Sequence, residues 1–92
     1  MKVDGKGRAR ILVAEDDRTT SFLIASMLAS ERYEVICAKD GEECLRLVRT
    51  MQPQLLILDL MMPKIHGLDV LKQLRQDEHT RDIGVIVCSA KN

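Results

Sequence analysis

Four short apolar runs divide this chain: residues 11–14 (Ile-Leu-Val-Ala), 35–38 (Val-Ile-Cys-Ala), 55–58 (Leu-Leu-Ile-Leu) and 84–88 (Gly-Val-Ile-Val-Cys). None alternates with polar residues, the pattern of strands buried on both faces. Segments with helical spacing lie between them. Residues 18–30 read as a first helix with Asp17 as N-cap. Its apolar surface is wide: Phe22, Leu23, Ile24, Met27 and Leu28. Asp40 opens a second helix, with Glu43 three residues on in the manner of a capping box. Cys44, Leu47, Val48 and Met51 repeat there at i, i+3, i+4 and i+7, and Pro53 ends the stripe. A loop over 60–67, punctuated by Pro63 and Gly67, leads to a third helix lined by Val70, Leu71 and Leu74. Residues 78–83 form a polar connection. The order β-α-β-α-β-α-β predicts an α/β fold, a parallel sheet with helices on both faces.

Composition narrows the class. The 92 residues suffice for one small domain, with 14 basic and 14 acidic side chains. A net charge of zero argues against direct nucleic-acid binding, which needs a basic face. No apolar run approaches a membrane span or a secretory signal. Phe22 and Tyr33 are the whole aromatic complement, so the core is expected to be aliphatic. Cys37, Cys44 and Cys88 lack metal-ligand spacing and lie in apolar segments, which predicts reduced, buried thiols in a cytoplasmic protein. Residues 1–9 carry charges and glycines without an apolar period. They are expected to be a disordered arm before a domain at 10–92.

Acids stand at the carboxyl ends of two strands: Glu15 and Asp16 after the first, Asp59 after the third. Ligands of open parallel sheets bind beyond the carboxyl ends, where strand order reverses. If the first and third strands are neighbours, three carboxylates share one crevice. Like charges that close repel, and a divalent cation removes the conflict. Hard oxygens with water and phosphate suit Mg²⁺. Ser89, past the fourth strand, adds a hydroxyl at the same rim. Asp17 reads as a cap rather than a functional acid. His66 reads as an exposed loop residue, because no second His or Cys stands at ligand spacing.

Three segments resemble a known family. Ile-Leu-Val-Ala-Glu-Asp-Asp (11–17), Leu-Leu-Ile-Leu-Asp-Leu-Met-Met-Pro-Lys-Ile-His-Gly (55–67) and Val-Ile-Val-Cys-Ser-Ala (85–90) look like the signatures of bacterial response-regulator receivers. Asp40-Gly41 at the second helix is also typical. The resemblance implies a flavodoxin-like, three-layer fold with strand order 2-1-3-4, the first helix on one face and the second and third on the other. It implies that Asp59 is the phosphoacceptor for a histidine kinase or phosphotransfer domain. Asp16 matches a direct Mg²⁺ ligand, and Glu15 the second acid, which often acts through water. Met61 matches the residue whose backbone carbonyl completes the metal site. Ser89 matches the hydroxyl that holds a phosphoryl oxygen and reports phosphorylation.

Two departures stand out. His66 replaces the usual Asp of the loop, with little effect expected. Receivers also continue through a fourth helix, a fifth strand followed by a catalytic Lys, and a fifth helix. Lys91 follows the fourth strand and is not that Lys. The chain is therefore expected to be a shortened receiver that accepts phosphate poorly, with self-association through the fourth strand and first helix. Two alternatives stay open. One is an aspartate-nucleophile, Mg²⁺-dependent phosphatase, although that class needs an Asp where Met61 stands. The other is an interaction fragment without phosphoryl chemistry.

Overall fold

A computed structural model describes residues 7–88. Four parallel strands and three helices alternate: β1 (Arg10–Ala14), α1 (Arg18–Ala29), β2 (Glu34–Ala38), α2 (Gly41–Met51), β3 (Leu55–Asp59), α3 (Gly67–Gln76) and β4 (Gly84–Cys88). The strand order is β2-β1-β3-β4, as the resemblance implied. Residues 1–6 of the expected arm, and Ser89 and Lys91, lie outside the described residues.

Period-two alternation sorts the sheet into two faces. Leu12, Ala14, Leu56 and Leu58 join Cys44, Leu45, Val48, Met51, Val70 and Leu74 in one cluster beneath α2 and α3. Ile11 and Val13 are equally buried but stand outside that cluster, on the face where α1 packs against β1 and β2. Val13, Ile57 and Ile86 lie side by side across this second face. Val13 is fully buried, Ile57 half-buried, and Ile86 52% exposed. From β1 toward β4 this row becomes less covered, and the helix on this face, α1, packs against β1 and β2. Much of the wide apolar surface expected on α1 therefore faces solvent: Phe22 is 70% and Met27 69% exposed.

The helix starts follow the sequence reading. Asp17 caps α1, accepting from the Thr19 N–H at 3.3 Å and the Thr20 hydroxyl at 2.6 Å. Asp40 caps α2, accepting from the Glu43 N–H at 2.8 Å, while the Glu43 carboxylate accepts from the Lys39 N–H at 3.0 Å. The end of α2 falls where the stripe and Pro53 placed it, after Met51. Gln52 adopts the left-handed conformation (φ 48°) and donates its N–H to the Val48 carbonyl, so the helix is closed before Pro53. Cys37 is also a correction. All three thiols are free, but Cys37 is exposed, Cys88 half-buried and only Cys44 buried. Cys37 lies on the edge strand β2, in register with Val13, and lines a shallow cavity beside Phe22 and Ala25 of α1 that leaves it open to solvent. Arg10 ties the lower end together, donating to the Met51 carbonyl at 3.0 Å and pairing with Glu34 at 3.5 Å.

Candidate functional site

β1 and β3 are adjacent in the middle of the sheet, with Ala14 paired to Leu58. The residues that follow, Glu15 and Asp59, therefore leave the sheet side by side. The Glu15 N–H still donates to the Ala38 carbonyl at 3.0 Å, and its carboxylate turns back to accept from the Asp17 N–H at 2.9 Å. That turn carries the chain into α1 and sets Asp16 at the rim. Asp59, only 1% exposed, accepts from the Met61 N–H at 3.0 Å through Oδ1. Oxygens of Glu15, Asp16 and Asp59 all lie within 4.8 Å of one another. The expected convergence of three carboxylates is present, at the point where the chain departs from β1 in both directions across the sheet.

Like charges gathered this closely repel one another. Two like charges at about 4 Å repel by roughly 4 kcal/mol at the effective dielectric of a protein surface. A cluster of this kind suits a hard divalent cation, and the donors are carboxylate oxygens of the type Mg²⁺ prefers. Met61 belongs to the same turn through its bond to Asp59. Ser89 adjoins β4 but lies outside the described residues. Asp17 is a cap, as expected. His66 stands apart from the carboxylates and caps α3 instead.

Cys88 is a neighbour that the residue pattern did not single out. It pairs in register with Asp59. Burial, then the charges of Asp59 and Glu15, push its thiol above the usual range. The signal was present in the ladder, but reading it required knowing that β4 lies against β3. A shallow cavity of about 400 Å³ extends from the acidic pair toward β2, lined by Phe22, Ala25, Cys37 and Lys39.

Comparison with known proteins agrees with this geometry. The family description "Response regulator receiver domain" matches residues 11–92. The chain is 44% identical over 69 residues to the alkaline phosphatase synthesis transcriptional regulatory protein PhoP of Bacillus subtilis, covering 75% of this chain and 29% of that one. It is 42% identical over 81 residues to the DNA-binding dual master transcriptional regulator RpaA of Synechocystis, covering 88% and 34%. It thus spans about a third of the length of these curated relatives. The solved N-terminal domain of a response regulator receiver protein from Methanoculleus marisnigri superposes with a TM-score of 0.85 at 36% identity, over 89% of this chain and 67% of that domain. Among the described residues no helix is long and apolar enough to cross a membrane. Sequence motifs, strand order and the three-carboxylate crevice converge, and the chain belongs to the response regulator receiver domain family.

Proposed function

We propose that Asp59 accepts a phosphoryl group from the phosphohistidine of a histidine kinase or phosphotransfer domain. The observation that supports this is the meeting of a buried Asp59 with Glu15 and Asp16 at the carboxyl edge of β1 and β3. The Met61 N–H orients the Asp59 carboxylate through Oδ1, and the other oxygen is the candidate nucleophile. It attacks phosphorus in line, the P–N bond to the donor imidazole breaks, and an acyl phosphate forms. Asp16, Asp59 and the Met61 carbonyl are the proposed holders of Mg²⁺, with Glu15 acting through water. When bound, the ion neutralises charge on the transferring group. Ser89 is the proposed contact for a phosphoryl oxygen. A change of charge at Asp59 would then act on Ser89 and on the surface beside it.

These 92 residues supply nucleophile, metal ligands and hydroxyl but no lysine beyond a fifth strand. Loss of one donor from a comparable oxyanion site costs on the order of 10²–10³ in rate. Labelling of this chain alone is therefore proposed to be slow relative to longer receivers. The exposed edge of β4, with Ile86 and Val87, supports self-association of the isolated chain. Sedimentation that shows monomer alone at high concentration overturns that part.

The test is incubation with Mg²⁺ and acetyl phosphate, followed by intact mass. The wild-type chain should gain one phosphoryl group slowly, and Asp59→Asn should gain none. No label on the wild type after prolonged incubation, or equal label on the variant, overturns the proposal.

A further inference from the structure

The cap of α3 differs in kind from the other two. His66 has extended backbone (φ −60°, ψ 142°), and its Nδ1 accepts a hydrogen bond from the Leu68 N–H at 3.2 Å. Asp17 and Asp40 cap α1 and α2 with carboxylates, which have oxygens to accept with and no ring nitrogen to protonate. A ring nitrogen accepts only while it carries no proton, and the imidazolium is a donor at both nitrogens. The His66 cap therefore exists in one charge state of the ring and not in the other. Protonation also brings positive charge to the positive end of the helix, an effect of the same sign. Histidine is the side chain type whose charge changes near neutrality.

We propose that His66 makes the start of α3 a pH-sensitive cap, in which the neutral imidazole holds the first turn and protonation releases it. Two charged side chains stand close to it along the chain. Lys64 lies two residues before it and pairs with Asp40 of the α2 start at 3.8 Å. Asp69 lies in the first turn of α3 and donates its own N–H to the His66 carbonyl. The first turn is also joined to the loop before it, because the Gly67 N–H donates to the Leu60 carbonyl at 3.0 Å. Releasing Leu68 thus loosens the segment between β3 and α3. The cap is independent of the phosphoacceptor reading, and only an effect on Asp59 chemistry would rest on that reading.

The experiment follows imidazole and amide NMR signals of the 92-residue chain from pH 8 to pH 5.5, with hydrogen exchange at Leu68. The Leu68 and Asp69 amide shifts should move with the His66 ring. Protection of the Leu68 N–H, corrected for intrinsic exchange, should fall about three- to tenfold as the ring protonates, the scale of a lost N-cap. His66→Asp, whose carboxylate stays ionised over this range, should keep its protection throughout. A Leu68 amide that ignores the ring titration overturns the proposal, as does a His66→Asp chain that loses protection in step with the wild type.

Discussion

Gly67 rests on the backbone that carries Asp59: a Cβ added at Gly67 would fall 2.9 Å from the Asp59 carbonyl oxygen and 2.5 Å from the Leu60 Cα. Both atoms are main chain, so neither can rotate away. Gly67→Ala should therefore destabilise the domain by about 1–3 kcal/mol, the cost of forcing extra volume into a packed place. On an exposed helix the same change would stabilise by up to about 1 kcal/mol. The sign of the shift in a urea midpoint distinguishes the two.

Mg²⁺ should bind weakly at the carboxylate cluster and stabilise the fold. A ligand present at ten times its Kd adds about 1.4 kcal/mol. Titration in the millimolar range should move the amide signals of Glu15, Asp16, Asp59 and Met61 and raise the thermal midpoint. Asp59→Asn, which removes one of the three carboxylates, should reduce both effects. An unchanged response in the variant would place the ion elsewhere.

The thiols should react in order of their exposure. Cys37 is exposed and should be alkylated first. Cys88 should follow more slowly, since burial and the Asp59 and Glu15 charges disfavour its thiolate. Burial, and secondarily Asp40, push Cys44 up to about 12, so it should react only on unfolding. Peptide mass mapping after timed alkylation at mildly alkaline pH reads the order directly.

Thr80 is buried, and its hydroxyl donates to the Leu74 carbonyl at 2.7 Å, holding the turn after α3. Thr80→Val keeps the shape but leaves that carbonyl without its donor. The expected cost is about 1–3 kcal/mol in a denaturant titration. A variant as stable as the wild type would show that the bond contributes nothing net.

Asp77, at the C-cap of α3, accepts from the His79 N–H at 2.9 Å, and this bond holds its carboxyl below the ordinary 3.8. The His79 side chain and Arg49 add to the same direction. A depressed carboxyl stabilises the fold above its unfolded pKa, and that contribution is lost as pH falls through the folded value. Asp77→Asn should therefore weaken the loss of stability with acid below about pH 4. The carboxylate is only part-buried, and solvent screening makes the effect small. Stability curves of both chains against pH test it.

The elements were legible because their signals are local. Unbroken apolar runs of four or five residues gave all four strands, and Asp17 and Asp40 gave two helix starts. The His66 cap was not legible, because an imidazole serves as a cap only in one charge state and a loop histidine has no such signature. Gln52 was missed because a left-handed residue leaves no mark except in glycine or asparagine, and Pro53 drew the boundary instead. Cys37 looked buried because an apolar run at a sheet edge reads the same as one at its centre.

The sequence by itself determined the alternation of strands and helices, the aliphatic core and the placing of acids at strand ends, since each depends on neighbours along the chain. The adjacency of β1 and β3 did not follow from periodicity. It entered through resemblance, and the sheet order supplies it physically. Only that adjacency brings Glu15 and Asp16 against Asp59, 43 residues farther along in the case of Asp16. Tertiary structure also decided which apolar residues are covered. Val13, Ile57 and Ile86 are alike in sequence, and their burial falls from complete at β1 to about half at β4, because α1 packs against β1 and β2.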